Sequence, residues 1–235
     1  ARIVVARNRQ VTPPTTRVDV DARATPLPCP LMAVGLREFE SLGPRSWFCG
    51  TLSVTPSADG PSGRLVGEFR VVDLERLLAD HLPHQISGTA TVTVTKASFR
   101  GGLLNEADVT VMAGPGTVGR SLVEIAERLG IATFRGAGSG EPNVPFERLS
   151  VWLACNDKGL SVGAMSPSGT MLAGPFGAIL SETSAANEPL PLAAVKRALA
   201  PRDESLISIA RQPAWTTRRP VAAPENDPNA DNPLR

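Results

Sequence analysis

Residues 86–96 (ISGTATVTVTK) put Ala90, Val92 and Val94 on one parity and Thr91, Thr93 and Thr95 on the other. Only an extended strand sends every second side chain to the same side, so this stretch demands a sheet with one oily and one wet face. Gly101-Gly102 suits a tight connection, and 103–113 return with Ala107, Val109 and Val111 opposed in parity to Asp108 and Thr110. Two such strands in succession pair antiparallel. Central strands of a parallel sheet, buried on both sides, read instead as solid apolar runs, so a doubly wound fold does not suit this chain.

The rest of the chain extends the pattern. Residues from Thr16 (TRVDVDARA) alternate as a half-buried strand, whereas TPLPCP carries three prolines in six residues and is expected to be irregular. Leu36 to Leu42 fits one or two helical turns. Trp47–Val54 and Leu65–Val72 read as a hairpin around the turn at 57–63. Asp73 suits the N-cap of a short helix, Leu74 to His81, stopped by Pro83. After the break at Gly114-Pro115-Gly116, Val118, Leu122, Ile125, Ala126 and Leu129 fall at helical spacing. This predicts an amphipathic helix over 118–130, with a Glu124–Arg128 pair on its polar side. A loop at 136–143 precedes a hairpin of 146–155 and 160–165, strand-like residues to 181 and a last helix over 192–199. From about Arg211 the sequence turns Pro-, Asn- and Asp-rich. The expected class is mainly β (α+β): an antiparallel sheet of hairpins with two or three covering helices. It divides into a junction to an upstream segment (1–12), an N-terminal hairpin region (13–84), an antiparallel region with the amphipathic helix (85–205), and a disordered tail (206–235).

Composition narrows the function classes. Hydrophobic residues make up 42%, but aromatics only 4% with no Tyr, so the core must be aliphatic. The 24 basic and 23 acidic residues balance, which argues against a nucleic-acid or polybasic membrane face. No apolar run approaches the ~18–20 residues that cross a bilayer. The first residues, ARIVVARNRQ, read like the middle of a longer protein, so an export signal or anchor is expected upstream. Cys29, Cys49 and Cys155 are too scattered for a zinc site. They suit either a Cys29–Cys49 disulfide in an oxidising compartment or three small buried hydrophobes.

Three motifs invite a chemical reading. GPGTVGRS (114–121) satisfies the G-x-G-x-x-G spacing with Gly114, Gly116 and Gly119 between a strand and a helix, the context of a dinucleotide loop. Yet the preceding strand carries Asp108 and Thr110, and no second apolar strand ending in an acid follows. As a phosphate-binding loop it has Arg120 where Lys belongs. His81 and His84 are three apart, but Pro83 breaks the helix that would pair them on a metal. The serines sit in ordinary loops or strands, so no catalytic, cofactor or metal set emerges.

Two stretches resemble the AsmA-like family of bacterial envelope proteins, which includes TamB. VVDLERLL (71–78) followed by ISGTATVTVT (86–95) is similar to the family's helical step before an alternating strand. FERLSVWLACNDKGLSVGAMSPSGTMLAGPFGAIL (146–180) resembles its C-terminal segment through Phe146, Leu149, Ser150, Gly159, Leu160, Gly169 and Gly177. The Asp157-Lys158-Gly159 turn is one residue longer than the family's, and the first 60 residues match neither motif. The resemblance implies a curved, groove-like sheet in the cell envelope, periplasmic and anchored by an upstream membrane helix, without catalysis or cofactor. Lipids or other amphipathic molecules would pass along its apolar face, with envelope proteins as partners. On parity, the candidates for that face are Val92, Val94, Val109, Val111, Leu153 and Leu160. The alternatives are a nucleotide-binding enzyme using 114–121 and an extracellular adhesion or interaction module.

Overall fold

The structure, a computed structural model, describes residues 1–10, 14–33, 36–79, 82–136, 141–184 and 188–200. Strands β1 (Arg2–Asn8), β2 (Thr15–Asp21) and β3 (Leu27–Pro28) lead into helix α1 (Cys29–Ala33) and a 3-10 turn, Arg37–Leu42. Then come β4 (Trp47–Thr55), β5 (Ser62–Asp73), α2 (Leu74–Ala79), β6 (Thr89–Arg100) and β7 (Leu103–Ala113). After these follow β8 (Gly116–Gly119), α3 (Arg120–Arg128), β9 (Ala132–Phe134), β10 (Asn143–Phe146), β11 (Arg148–Asn156) and β12 (Gly159–Ala164). The last described elements are β13 (Thr170–Gly174), β14 (Gly177–Glu182) and α4 (Leu192–Leu199).

Twelve strands form one sheet, ordered β1-β2-β4-β5-β6-β7-β11-β13-β14-β9. β3 adds to β4, and β12 shares the far edge of β11 with β13. Every pairing is antiparallel, and the sheet does not close. β8 and β10 make a separate two-stranded ribbon. The mainly-β, antiparallel expectation is therefore what the chain adopts. Because β5 pairs with β6, the regions on either side of residue 84 share one continuous sheet.

Irregularities in register bend the central strands. Val94 pairs with Val109 but Lys96 pairs with Asp108, which leaves Thr95 as an extra residue. Unbroken alternation would put Lys96 on the oily face with Val92 and Val94. The bulge instead turns Lys96 to the wet face, where its Nζ donates to Glu106 at 2.7 Å, and returns Ala97 to the core. A second bulge lies in β5, where Phe69 pairs with Val92 and Val72 with Ala90. Here Val71 sits at φ 55, a left-handed conformation that its branched side chain disfavours.

Apolar side chains from β2 to β7 build a first core with Met32 and Leu74 from the short helices, Phe48 and Val72 being completely enclosed. A Cβ on Gly50 or Gly67 would come within 3 Å of the Phe48 ring, so the ring packs against both glycines. The ring also meets Phe69 at a centroid distance of 4.9 Å. A second core joins Val123 of α3 to Ile131, Ala132, Phe146, Met171, Leu172 and Ile179. Asp73 caps α2 as expected, its Oδ1 accepting from the amides of Glu75 at 3.1 Å and Arg76 at 3.2 Å.

Several expectations need correction. Residues 2–8, in which no periodicity is legible, form the edge strand β1; Ile3, Val4 and Val5 are all exposed, so no burial imposes the alternation that would have announced it. The proline cluster holds β3 and the start of α1, where Pro30 occupies the first turn, a position that needs no amide. Helix α3 starts at Arg120, because Val118 pairs with Val144 in the ribbon. Glu124 meets Arg120, at 3.9 Å, rather than the expected Arg128. The strand expected over 146–155 is two, broken at Glu147, and Ala132–Phe134 adds an unforeseen strand beside β14. His81 and the tail from 201 lie outside the described residues.

Candidate functional site

Three cross-strand rows carry the apolar face through the middle of the sheet. Val92 aligns with Val111 and Val151. Val94 aligns with Val109, Leu153 and Val162. Ala97 aligns with Ala107, Cys155 and Leu160. All six residues singled out by parity (Val92, Val94, Val109, Val111, Leu153 and Leu160) thus share one face. The opposite face carries Thr91, Thr93, Asp108 and Thr110, with Trp152 aligned to Thr110 and its indole lying over Gly163.

Burial divides the six. Val94 is 5% exposed and belongs to the first core, whereas the other five are only half-buried. Val92, Val109 and Val111 border the first core; Leu153 and Leu160 border the second. These residues therefore form a seam between two separately closed cores. The amphipathic helix, a candidate cover for this face, contributes its apolar side to the second core and lies closest to β9 and β8. Lys96, Glu106 and Asp108 point to the other side of the sheet, so the seam is aliphatic and uncharged.

The cysteines split across β4. Cys29 is buried in the first core on the Phe48 side, and burial raises its thiol pKa above the ordinary value, offset in part by a hydrogen bond with Ser46. Cys49 alternates with Phe48 and faces the other way, with its thiol 3.6 Å from the Arg23 carbonyl. Of the two readings of the cysteines, the Cys29–Cys49 disulfide is not formed, because the two thiols lie on opposite sides of one strand.

The glycine loop at 114–119 packs backbone against backbone. The amides of Gly114, Thr117, Gly119 and Arg120 are donated to Thr89 O, Ser87 Oγ, Gln85 O and Pro142 O. A Cβ on Gly116 would stand 2.1 Å from Ser87 O, which is reason enough for glycine there. His84 meets Ser121: its Nδ1 is 3.0 Å from Ser121 Oγ, and its Nε2 is 3.2 Å from Leu199 O. Nothing in the residue pattern signals this contact, since 37 residues separate the pair and the helical spacing starts α3 two residues early. No protein-family model matches the chain, and no curated protein and no solved structure matches it.

Proposed function

We propose that this chain is a β-groove or scaffold segment of an AsmA-like envelope protein, working in the periplasm by offering an apolar sheet face to the acyl chains of lipids or other amphipathic molecules. The observation that carries this reading is the seam. Five aliphatic side chains selected by alternation alone lie in register on one face and stay only partly buried at the margins of the two cores. Surface of this kind contributes about 25 cal/mol for each Å² that is covered, so a partly open aliphatic strip is one that an acyl chain gains by covering. The glycine loop lends the nucleotide alternative no support, because four of its amides already have protein acceptors.

The test is lipid content. Protein purified from membranes and extracted into organic solvent should release bound phospholipid or another amphiphile, detected by mass spectrometry. Val92→Asp and Val109→Asp should each remove at least nine-tenths of it, while circular dichroism shows the sheet intact. Lipid-free wild-type protein, or lipid retained by both folded variants, defeats the proposal.

A further inference from the structure

We propose that Ser121 and His84 form a nucleophile–base pair for short-acyl esters, at a site separate from the apolar seam. This goes beyond the groove reading and departs from the expectation that no active site could be assembled. The two residues meet beside a depression of about 280 Å³ between α3 and α4. Pro83, Ile125, Ala198 and Ala200 supply its apolar walls, with Glu124 and Arg128 as charged neighbours. Its size is at the low end for small-molecule sites, which favours a short acyl group over a lipid tail.

Hydrogen bonding fixes the roles. A backbone carbonyl can only accept, so in the neutral ring Nε2 carries the hydrogen donated to Leu199 O. Nδ1 then holds a lone pair and accepts the Ser121 hydroxyl proton. That is the arrangement of an activated serine: nucleophile, base, and a third group orienting the base. Leu199 O fills the place usually taken by a carboxylate.

The two helices polarise the pair in the same sense. Ser121 lies in the first turn of α3, at the positive end of its dipole, where negative charge on oxygen is favoured. Leu199 ends α4, so its carbonyl stands at a negative helix end, which strengthens it as the acceptor that orients the His84 ring. Two of the four amides at the start of α3, those of Gly119 and Arg120, are already bound. The amides of Ser121 and Leu122 have no acceptor within the helix, and they are the donors available to a carbonyl oxygen gaining charge.

In the reaction, Ser121 Oγ bonds to the ester carbonyl carbon as its proton passes to His84 Nδ1. The bond to the alcohol oxygen breaks, and that oxygen takes the proton from His84. Water then adds to the acyl carbon, giving a proton to His84, which returns it to Ser121 Oγ as the carboxylic acid leaves. Ester and water become acid and alcohol.

The full chain should be treated with a fluorophosphonate probe, the modified peptide identified by mass spectrometry, and 4-nitrophenyl acetate hydrolysis followed in parallel. Label is expected on Ser121 of the folded protein and not of the urea-unfolded protein, with hydrolysis and label both lost in Ser121→Ala. His84→Gln keeps a donor for Leu199 O but supplies no base, and should slow labelling by about 100-fold at an unchanged melting temperature. No label on Ser121, equal label on the unfolded chain, or wild-type labelling of a folded His84→Gln protein would overturn the proposal. Lipid content is independent of all three results, so the groove reading stands or falls separately.

Discussion

The two cores are closed by different means. In the first, short helical segments bring Met32 and Leu74 onto the sheet, and Phe48 packs against Gly50 and Gly67. In the second, one longer amphipathic helix and a two-stranded ribbon bring Val123, Val118 and Phe146 against β9, β13 and β14. The first core sets Phe48 against bare backbone and against Phe69, whereas the second sets an aliphatic helix face and the single buried Phe146 ring over aliphatic strands. Ile86 and Leu149 touch both. Two covers, each fitted to its own end of a sheet too wide for either, leave the strip between them half-covered. An open strip in a folded sheet can therefore follow from cover lengths as much as from strand sequence.

The strongest way to break this comparison is to empty each core in turn. Phe48→Ala and Phe146→Ala should each cost about 3–5 kcal/mol in urea unfolding, because each removes a buried ring. If the shared sheet makes one cooperative unit, both variants will shift a single transition followed by tryptophan fluorescence. A second transition appearing in only one variant would show two independently melting halves.

A smaller effect of opposite sign sharpens the account of the first cover. Val71 adopts its left-handed conformation three residues before α2, so it shapes the strand that delivers that helix to the core. Removing the branched side chain relieves roughly 1–2 kcal/mol, against 0.5–1 kcal/mol for glycine's added freedom when unfolded. Val71→Gly should therefore raise thermal stability slightly. A lowered melting temperature would mean that the exposed valine packs more tightly in solution than its exposure indicates.

The smallest effect concerns the outer edge of the first core. The guanidinium of Arg23, 2.6 Å away, brings the Asp21 carboxyl down to about 2 from its ordinary value of 3.8. A carboxyl lowered in the folded state stabilises above its unfolded pKa and loses that effect as pH falls through the folded one. Amide exchange in β1 and β2 should therefore speed up modestly between about pH 4 and pH 2, after correction for intrinsic rates. Because Asp21 is exposed, the change should shrink in high salt. Equal acceleration in β9 and β14 would point to general acid unfolding.

How much of this was legible depends on what each residue's neighbours demanded. Strands β4, β6 and β7, and the helix over 192–199, could be read directly because their side chains alternate between core and outer face; β13 and β14 showed only as strand-like residues to 181, because they bury successive side chains. The Asp73 cap was legible because capping is a contact within four residues. β1 was hidden because an edge strand exposed on both sides has no reason to alternate. β9 is only three residues long, too short for any period to show.

The chain's own order of side chains determined the antiparallel sheet and the membership of its oily face, because alternation is a property of the extended backbone and needs no partner. Tertiary structure alone decided how much of that face stays open, which way Lys96 turns, and that His84 stands beside Ser121. Each of these depends on where distant segments come to rest: the reach of a covering helix, one extra residue against a neighbouring strand, and two helix ends brought together across the chain.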